Sequence, residues 1–187
     1  MNVVIVFESL FGNTHAIAEA VADGIRAGGT DMHVRVIRVG EVVPADVRDV
    51  ALLVVGGPTH IHGMSSGTSR RLGLENEEKE AESHGLHLDL EPGATGPGLR
   101  DWFVTLPRAT SRQPAAAFDT RVDSLLSGGA AHGIARRLER HGYELVAEPE
   151  GFLIENTEGP LRKGERARAK QWGAALAGQL ATARPSA

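Results

Sequence analysis

The sequence of 187 residues contains no cysteine. This absence excludes disulfide bonds, iron–sulfur clusters and redox-active Cys-x-x-Cys pairs. Any redox chemistry of this chain would therefore need a bound cofactor. Aromatic residues are also scarce, at 4% of the chain, and Tyr143 is the only tyrosine. Hydrophobic residues nevertheless make up 41% of the sequence, which is enough for a folded core and excludes a disordered composition.

Long apolar runs and an excess of positive charge are missing as well. No stretch approaches the roughly 20 apolar residues that span a bilayer, so we expect no membrane span. The N-terminus has neither a basic region nor a small-residue cleavage site, which predicts no signal peptide. The formal net charge of −4 argues against a nucleic-acid partner. We therefore expect a cytoplasmic protein.

Short apolar runs alternate along the chain with helical patterns. The runs Val3 to Phe7, Val50 to Val55 and Ala115 to Phe118 predict strands that are buried on both faces. Polar and apolar residues alternate from His33 to Val39, which is typical of an edge strand. The segment Leu145 to Ile154, interrupted near Pro149, predicts the strand at the other edge. This alternation favours an α/β fold with a doubly wound, five-stranded parallel sheet in the strand order 2-1-3-4-5.

Apolar residues spaced by three and four positions predict the helices that cover this sheet. Such spacing occurs around residues 18–25, 99–106, 131–138 and 169–180, and one or two further helical turns are predicted from Pro44. Trp102 and Trp172 fall on the apolar sides of two of these helices. We therefore predict that both tryptophans are core residues.

One stretch is too long for a simple connection between elements. It runs from about residue 65 to 98 and contains the charge-dense Glu75 to Glu82 and the Gly/Pro-rich Glu91 to Gly98. Loops of this length in a compact domain are usually functional or mobile. We predict a single domain, residues 1–187, with a mobile insertion at about 65–98 that lies near the ligand site.

The loop Glu8 to Thr14 carries the strongest functional signal. Ligands of doubly wound sheets bind beyond the carboxyl ends of the strands, at the switch point between the first and third strands. Gly12 lets a ligand approach the backbone, and the following helix N-terminus offers free N–H groups. Ser9, Asn13 and Thr14 add neutral side-chain donors, which suit a terminal phosphate held without a metal. The alternative is that Asn13 or Thr14 only caps the helix.

The stretch Ile5 to Val21 (IVFESLFGNTHAIAEAV) resembles the flavodoxin signature at every fixed position. It has the apolar–aromatic strand end, the hydroxyl residue, the small residue, the threonine and the helix alanine of that family. Flavodoxins bind flavin mononucleotide (FMN), so the resemblance implies FMN as the cofactor. It also implies that the FMN phosphate is held by Ser9, Phe11, Gly12, Asn13 and Thr14.

The loop Gly56 to Met64, after the third strand, resembles the loop that runs along the flavin ring in the same family. Gly56 and Gly57 are expected to leave room beside the strand end, and Pro58 stiffens the exit of the chain. The sequence departs from the family in having histidine and isoleucine where many relatives place Trp or Tyr. The flavin contacts that the resemblance implies here are Pro58, Thr59, His60, Ile61, His62 and Gly63.

Two further features of these loops have competing interpretations. His60 and His62 could bind a metal, but a stable site needs three or four ligands, so we predict no metal site. After the fourth strand, Asp119, Thr120 and Arg121 match by position the family's loop on the other side of the ring. The alternative is an ordinary connection from strand to helix.

Three functions are compatible with these patterns. The first is an FMN-dependent electron carrier that exchanges electrons with redox partner proteins or with a small donor or acceptor. The second is an FMN-dependent oxidoreductase of the NAD(P)H:quinone or porphyrinogen type. The third is a flavin-free module with a role in regulation or assembly. Fold alone does not choose among them, but the intact first loop argues against the third. We expect the electron carrier and predict no catalytic residue.

Overall fold

The computed structural model of the chain describes residues 1–29, 31–59, 90–123, 129–156 and 159–182. These residues form one parallel sheet in the order β2-β1-β3-β4-β5, with β6 also paired to β4. The strand order confirms the predicted doubly wound topology. The strands are β1 (Asn2–Phe7), β2 (His33–Arg38), β3 (Leu52–Pro58), β4 (Pro114–Val122), β5 (Glu144–Leu145) and β6 (Glu150–Ile154).

The sixth strand is the second half of the predicted fifth one. β5 pairs with the first two residues of β4, and β6 pairs with its last five. β3 already occupies one edge of β4, from residue 115 to residue 120, so β5 and β6 both lie along the other edge. The break between them contains Pro149, which has no N–H to donate to the sheet. The interruption predicted from the sequence is therefore present.

Burial along the strands follows from their place in the sheet. β1 and β3 are central, and five of the six β1 residues and six of the seven β3 residues are buried. β2 lies at the edge and alternates between more and less exposed residues, as predicted. A central parallel strand has both faces covered, whereas an edge strand does not.

Four α-helices of the described residues cover the two faces of the sheet. Because side chains alternate along a strand, Val3, Ile5 and Phe7 pack with α1 and α4, whereas Val4 and Val6 pack with α2 and α3. A single 3-10 turn follows β2, where helical turns were predicted. These elements are α1 (Asn13–Ala27), the 3-10 turn (Pro44–Asp46), α2 (Leu99–Thr105), α3 (Ala130–Arg140) and α4 (Glu165–Thr182).

Both tryptophans contact the core. Trp102 is buried on the α2 side of the sheet. Trp172 is half-buried and packs edge-on against Phe118 and Phe152, with ring centroids 6.2 and 6.1 Å away. The prediction of core roles is confirmed for Trp102, and Trp172 covers the opposite core at its margin.

The predicted insertion is described only in part. Residues 65–89 lie outside the described residues, so the mobile insertion stays a prediction. The remaining part, residues 90–98, packs on the first loop: the Glu91 N–H donates to the Leu10 carbonyl over 2.8 Å, and Ala94 is buried against Leu10. Within the described ranges, no helix combines the length and apolar character needed to cross a membrane.

Candidate functional site

The loop after β1 leaves the sheet beside the end of β3. Phe7 is paired with Gly56, and the Glu8 N–H donates to the Gly56 carbonyl over 3.0 Å. The buried Glu8 side chain accepts the N–H of Leu99 over 2.8 Å and so holds the start of α2. The loop therefore opens into the crevice between β1 and β3, at the switch point of the sheet.

Gly12 is the residue at which the loop becomes helix α1. Its φ of 83° is left-handed, a conformation that favours glycine. A Cβ built on Gly12 would meet no atom of the described residues within 4 Å, so the backbone conformation, not crowding, requires glycine here. Among these residues, the space above Gly12 is open to a ligand.

The N-terminus of α1 has the properties of an anion site. No side chain in the described part of the chain caps the helix, and its first turn contains no acidic residue. Asn13 and Thr14 lie inside the helix, so the alternative that either one is the N-cap residue is wrong. The first N–H groups of a helix have no acceptor within it, and the helix dipole favours a negative ligand there.

Thr14 joins the first loop to the third. Its Oγ1 lies 2.7 Å from Oγ1 of Thr120, and each residue is only 2% exposed. Two hydroxyls have two protons but use only one in their mutual hydrogen bond. If Thr120 donates to Thr14, the proton of Thr14 remains available to a ligand.

Ser9 has other partners. Its Oγ accepts the Gly12 N–H over 3.1 Å, and its carbonyl accepts Nη1 of Arg38 over 3.1 Å; the Glu91 carboxylate lies nearby. The same carboxylate pairs with Arg38 over 2.8 Å and contacts Nδ1 of His15. Burial alone would raise the pKa of Glu91, yet its interactions with the nearby Ser9, Arg38 and His15 bring it below its ordinary value.

Sequence reasoning missed both Arg38 and Glu91. Arg38 is the last residue of β2, and Glu91 belongs to the Gly/Pro-rich part of the predicted insertion. A charged residue at the carboxyl end of an edge strand next to the switch point was the available signal. Nothing in the local pattern around Glu91 indicates which side chains it contacts.

The two other predicted phosphate residues border the same loop. Phe11 is partly buried and packs with Leu10 and Ala94. The Asn13 side chain abuts Gly159, whose φ is 111°, and a Cβ there would overlap the Asn13 amide. The structure thus brings all five predicted phosphate residues together, with Phe11 and Asn13 against neighbouring segments.

The glycines at the end of β3 do not leave room for a ligand. A Cβ on Gly56 would overlap the Phe118 ring, and one on Gly57 would lie 2.6 Å from Cδ1 of Leu99. The room that we expected beside these glycines is occupied by core side chains. Pro58 ends the strand, and Thr59 follows it. His60, Ile61, His62 and Gly63 lie outside the described residues.

Thr59 and Asp119 anchor the start of α3. The carboxylate of Asp119, which is fully buried, accepts the Thr59 hydroxyl and the Ala131 N–H, each over 2.9 Å. The Thr59 oxygen in turn accepts the Ala130 N–H over 2.8 Å. Gly129 permits this approach, because a Cβ there would overlap the Asp119 carboxylate. The contacts satisfy two N–H groups that a helix leaves without internal partners.

Arg121 lies at the margin of the third loop. Its Nη1 is 3.4 Å from Oδ1 of Asp119, and its guanidinium packs over the backbone at Gly151 of β6. The polar side chains of the third loop thus face α3, α1 and β6, as in an ordinary connection from strand to helix. Their contact with a cofactor stays a prediction.

Metal-ligating side chains do not cluster in the described part of the chain. No group of three or more His, Asp or Glu residues that could hold an ion is found there. His60 and His62, the pair considered from the sequence, are not among these residues.

Comparison with known structures identifies the fold. An archaeal flavodoxin superposes with a TM-score of 0.63 over 97% of this chain and 99% of its own, at 20% identity. Flavodoxins from Megasphaera elsdenii and Streptococcus pneumoniae TIGR4 superpose with TM-scores of 0.57 and 0.59, each at 18% identity. They cover 92% and 97% of this chain and 98% and 99% of their own. The chain therefore has the flavodoxin-like fold.

Sequence comparison adds one short similarity. A segment of 45 residues, 24% of this chain, is 44% identical to an NAD(P)H dehydrogenase (quinone) from Archaeoglobus fulgidus. The match spans only 22% of that protein's length. No family model matches the chain.

Proposed function

Given the flavodoxin-like fold, we propose that the chain binds FMN with the phosphate at the N-terminus of α1 and uses it to transfer electrons. The observation that carries the proposal is the start of α1. A left-handed Gly12 with open space above it precedes an uncapped helix end, and the buried Thr14 hydroxyl lies in its first turn. This arrangement lies in the crevice where doubly wound sheets bind their ligands.

The donors at this site suit a phosphate monoester. The helix N-terminus supplies N–H groups and the positive end of the dipole, and Thr14 supplies a hydroxyl proton when Thr120 donates to it. Gly12 and Asn13 bring the backbone close to the ligand. FMN, when bound, supplies a centre that takes up and releases electrons, which this cysteine-free chain otherwise lacks.

The flavin ring is proposed to lie between the second and third loops. Its contacts would come from residues 58–63 on one side and residues 119–121 on the other. Because the side chains of Thr59 and Asp119 are bonded to the start of α3, we expect these two residues to contact the ring through backbone atoms. The electron donor and acceptor would be redox partner proteins or small molecules, and we propose a cytoplasmic location.

A second candidate function is an NAD(P)H:quinone oxidoreductase. The observation that favours it is the 44% identity over 45 residues to the quinone enzyme of Archaeoglobus fulgidus. In that case the same FMN site would accept electrons from a nicotinamide cofactor and pass them to a quinone.

The visible spectrum and ligand titrations of the purified protein test the proposal. FMN and riboflavin differ only in the phosphate, so fluorescence-quenching titrations should show much tighter binding of FMN. Equal affinities would contradict the phosphate assignment. A protein that binds neither flavin would be a flavin-free module, and the proposal would fail.

A steady-state assay distinguishes the two flavin functions. NADH or NADPH oxidation is followed with a quinone as acceptor, using protein saturated with FMN. Turnover far above that of free FMN supports the oxidoreductase. Reversible reduction of the bound flavin without such turnover supports the electron carrier.

A further inference from the structure

We propose that Glu91 and Arg38 are positioning residues that hold the phosphate loop through Ser9 and thereby set the preference for FMN over a flavin without phosphate. Ser9, Arg38 and Glu91 are named the Glu91 clamp below. The inference rests on the proposed function, because it concerns how that same site recognises its ligand.

The clamp fixes two consecutive residues of the loop. Nη1 of Arg38 donates to the Ser9 carbonyl over 3.1 Å, and Nη2 of the same guanidinium pairs with the Glu91 carboxylate over 2.8 Å. The Glu91 N–H donates to the Leu10 carbonyl over 2.8 Å. Two consecutive carbonyls of the loop are therefore tied to residues that lie far from it in the sequence.

The clamp reaches the helix through the Ser9 hydroxyl. Its oxygen accepts the Gly12 N–H over 3.1 Å, and Arg38 holds the Ser9 backbone through the carbonyl. Together the two bonds fix the orientation of Gly12, the N-cap residue of α1.

Arg38 allows the Glu91 carboxylate to lie beside the proposed phosphate site. The Arg38 and Glu91 side chains are only 12% and 13% exposed and lie 2.8 Å apart. An unpaired carboxylate in this place would repel a phosphate and lose hydration on burial. The guanidinium compensates the charge, so Glu91 acts mainly as a hydrogen-bond acceptor with a fixed position.

The clamp packs against the end of β1. Cζ of Arg38 lies 4.9 Å from the centroid of the Phe7 ring. His15, which contacts Glu91, stacks on the same ring at 4.5 Å with an interplanar angle of 8°. Because the loop is held by these contacts before a ligand arrives, little ordering is required on binding. Such preorganisation increases affinity for the group that the loop receives, which is the phosphate.

Titration of two flavins tests the clamp. Glu91→Ala removes the carboxylate that holds Arg38, and Glu91→Gln keeps an amide oxygen there but loses the charge that Arg38 requires. We expect Glu91→Ala to reduce the ratio of FMN to riboflavin affinity about tenfold, with riboflavin affinity within about twofold of wild type. A tenfold change corresponds to about 1.4 kcal/mol. Glu91→Gln should give an intermediate ratio.

The matched control is a second carboxylate paired with an arginine of the same strand. Arg35 of β2 lies 2.8 Å from Asp46, and Asp46 also accepts the Val43 N–H. Asp46→Asn makes the same chemical change as Glu91→Gln but lies outside the phosphate loop. It should leave the FMN to riboflavin ratio unchanged. If losing an arginine–carboxylate pair only destabilised the fold, the FMN to riboflavin ratio would stay unchanged in both variants.

Arg38→Met tests the same link from its other end. If Glu91 acts by holding Arg38 on the Ser9 carbonyl, Glu91→Ala in the Arg38→Met background costs no further FMN preference. A further loss in that background would mean that Glu91 acts on the site by another route and would overturn the proposal.

The remaining outcomes are also decisive. An unchanged or increased FMN preference in folded Glu91→Ala would overturn the clamp while leaving the FMN site intact. If Glu91→Ala does not fold, the ratio for Glu91→Gln decides in the same way. Wild-type protein that binds no flavin, or binds both equally, would instead refute the proposed function, so the two failures are distinguishable.

Discussion

Replacing Thr14 with valine removes one hydroxyl of a buried pair and leaves the other, on Thr120, without the partner that lies 2.7 Å away. Valine has nearly the shape of threonine, so packing in the first turn of α1 is retained. The variant should therefore have two separable defects. One is the loss of a phosphate donor, and the other is an unsatisfied buried hydroxyl.

The two defects have different magnitudes and different readouts. A buried polar group left without its partner costs about 1–3 kcal/mol of folding stability. For a domain of this size, each kcal/mol lowers the melting temperature by about 2–4 °C. A hydrogen bond to a charged group contributes about 1.5–3 kcal/mol, so the affinity for FMN should fall roughly 10- to 150-fold. Riboflavin affinity should change little.

Thr120→Val is the matched comparison, measured by thermal unfolding and by titration with both flavins. It should destabilise the fold by a similar amount, but Thr14 keeps its proton and the preference for FMN is retained. In the double variant both hydroxyls are replaced by apolar groups, so stability should recover while the FMN defect persists. Equal FMN preference in wild type and Thr14→Val would refute the assignment of Thr14 as a phosphate donor.

Three further predictions concern the anchoring contacts of the site. Asp119→Ala should lower the unfolding free energy by at least about 2 kcal/mol, because the Ala131 N–H and the Thr59 hydroxyl lose their acceptor. Urea denaturation measures this change, and a loss below about 0.5 kcal/mol would contradict the role of Asp119 as an anchor. The pKa of Glu91 is lowered in the folded state, so its carboxylate stabilises the fold above the ordinary carboxyl pKa and this contribution is lost as pH falls. The stability difference between wild type and Glu91→Gln should therefore shrink from pH 7 towards pH 4, and a difference independent of pH would contradict this. Gly56→Ala should destabilise by about 1–3 kcal/mol because its methyl group overlaps the Phe118 ring, and wild-type stability in thermal unfolding would show that the ring yields without cost.

The sequence by itself determined the layers and the order of the sheet. The run Val3 to Phe7 is apolar throughout because β1 is covered on both faces, and His33 to Val39 alternates because β2 is an edge. The break near Pro149 appeared in the pattern because proline lacks the N–H that a sheet requires. Burial and backbone chemistry of this kind repeat with the period of the element, so they are visible locally.

The start of α1 was also predicted from local sequence. Gly12 adopts the left-handed conformation that a tight turn into a helix needs, and Thr14 lies in the first turn. The expectation that Gly56 and Gly57 leave room for a ligand was wrong. A glycine in the sequence does not show whether a ligand or a core side chain fills the space beside it.

Only the tertiary structure decided which side chains of the site are paired. Thr14 and Thr120 lie 106 residues apart in the sequence, and Thr59 meets Asp119 because the parallel strands β3 and β4 end at the same edge of the sheet. Glu91 reaches Arg38 and the Leu10 carbonyl because residues 90–98 pack on the first loop. Such contacts depend on strand register and on the path of a connection that has no periodic pattern. Their partners therefore cannot be inferred from the residues on either side of them.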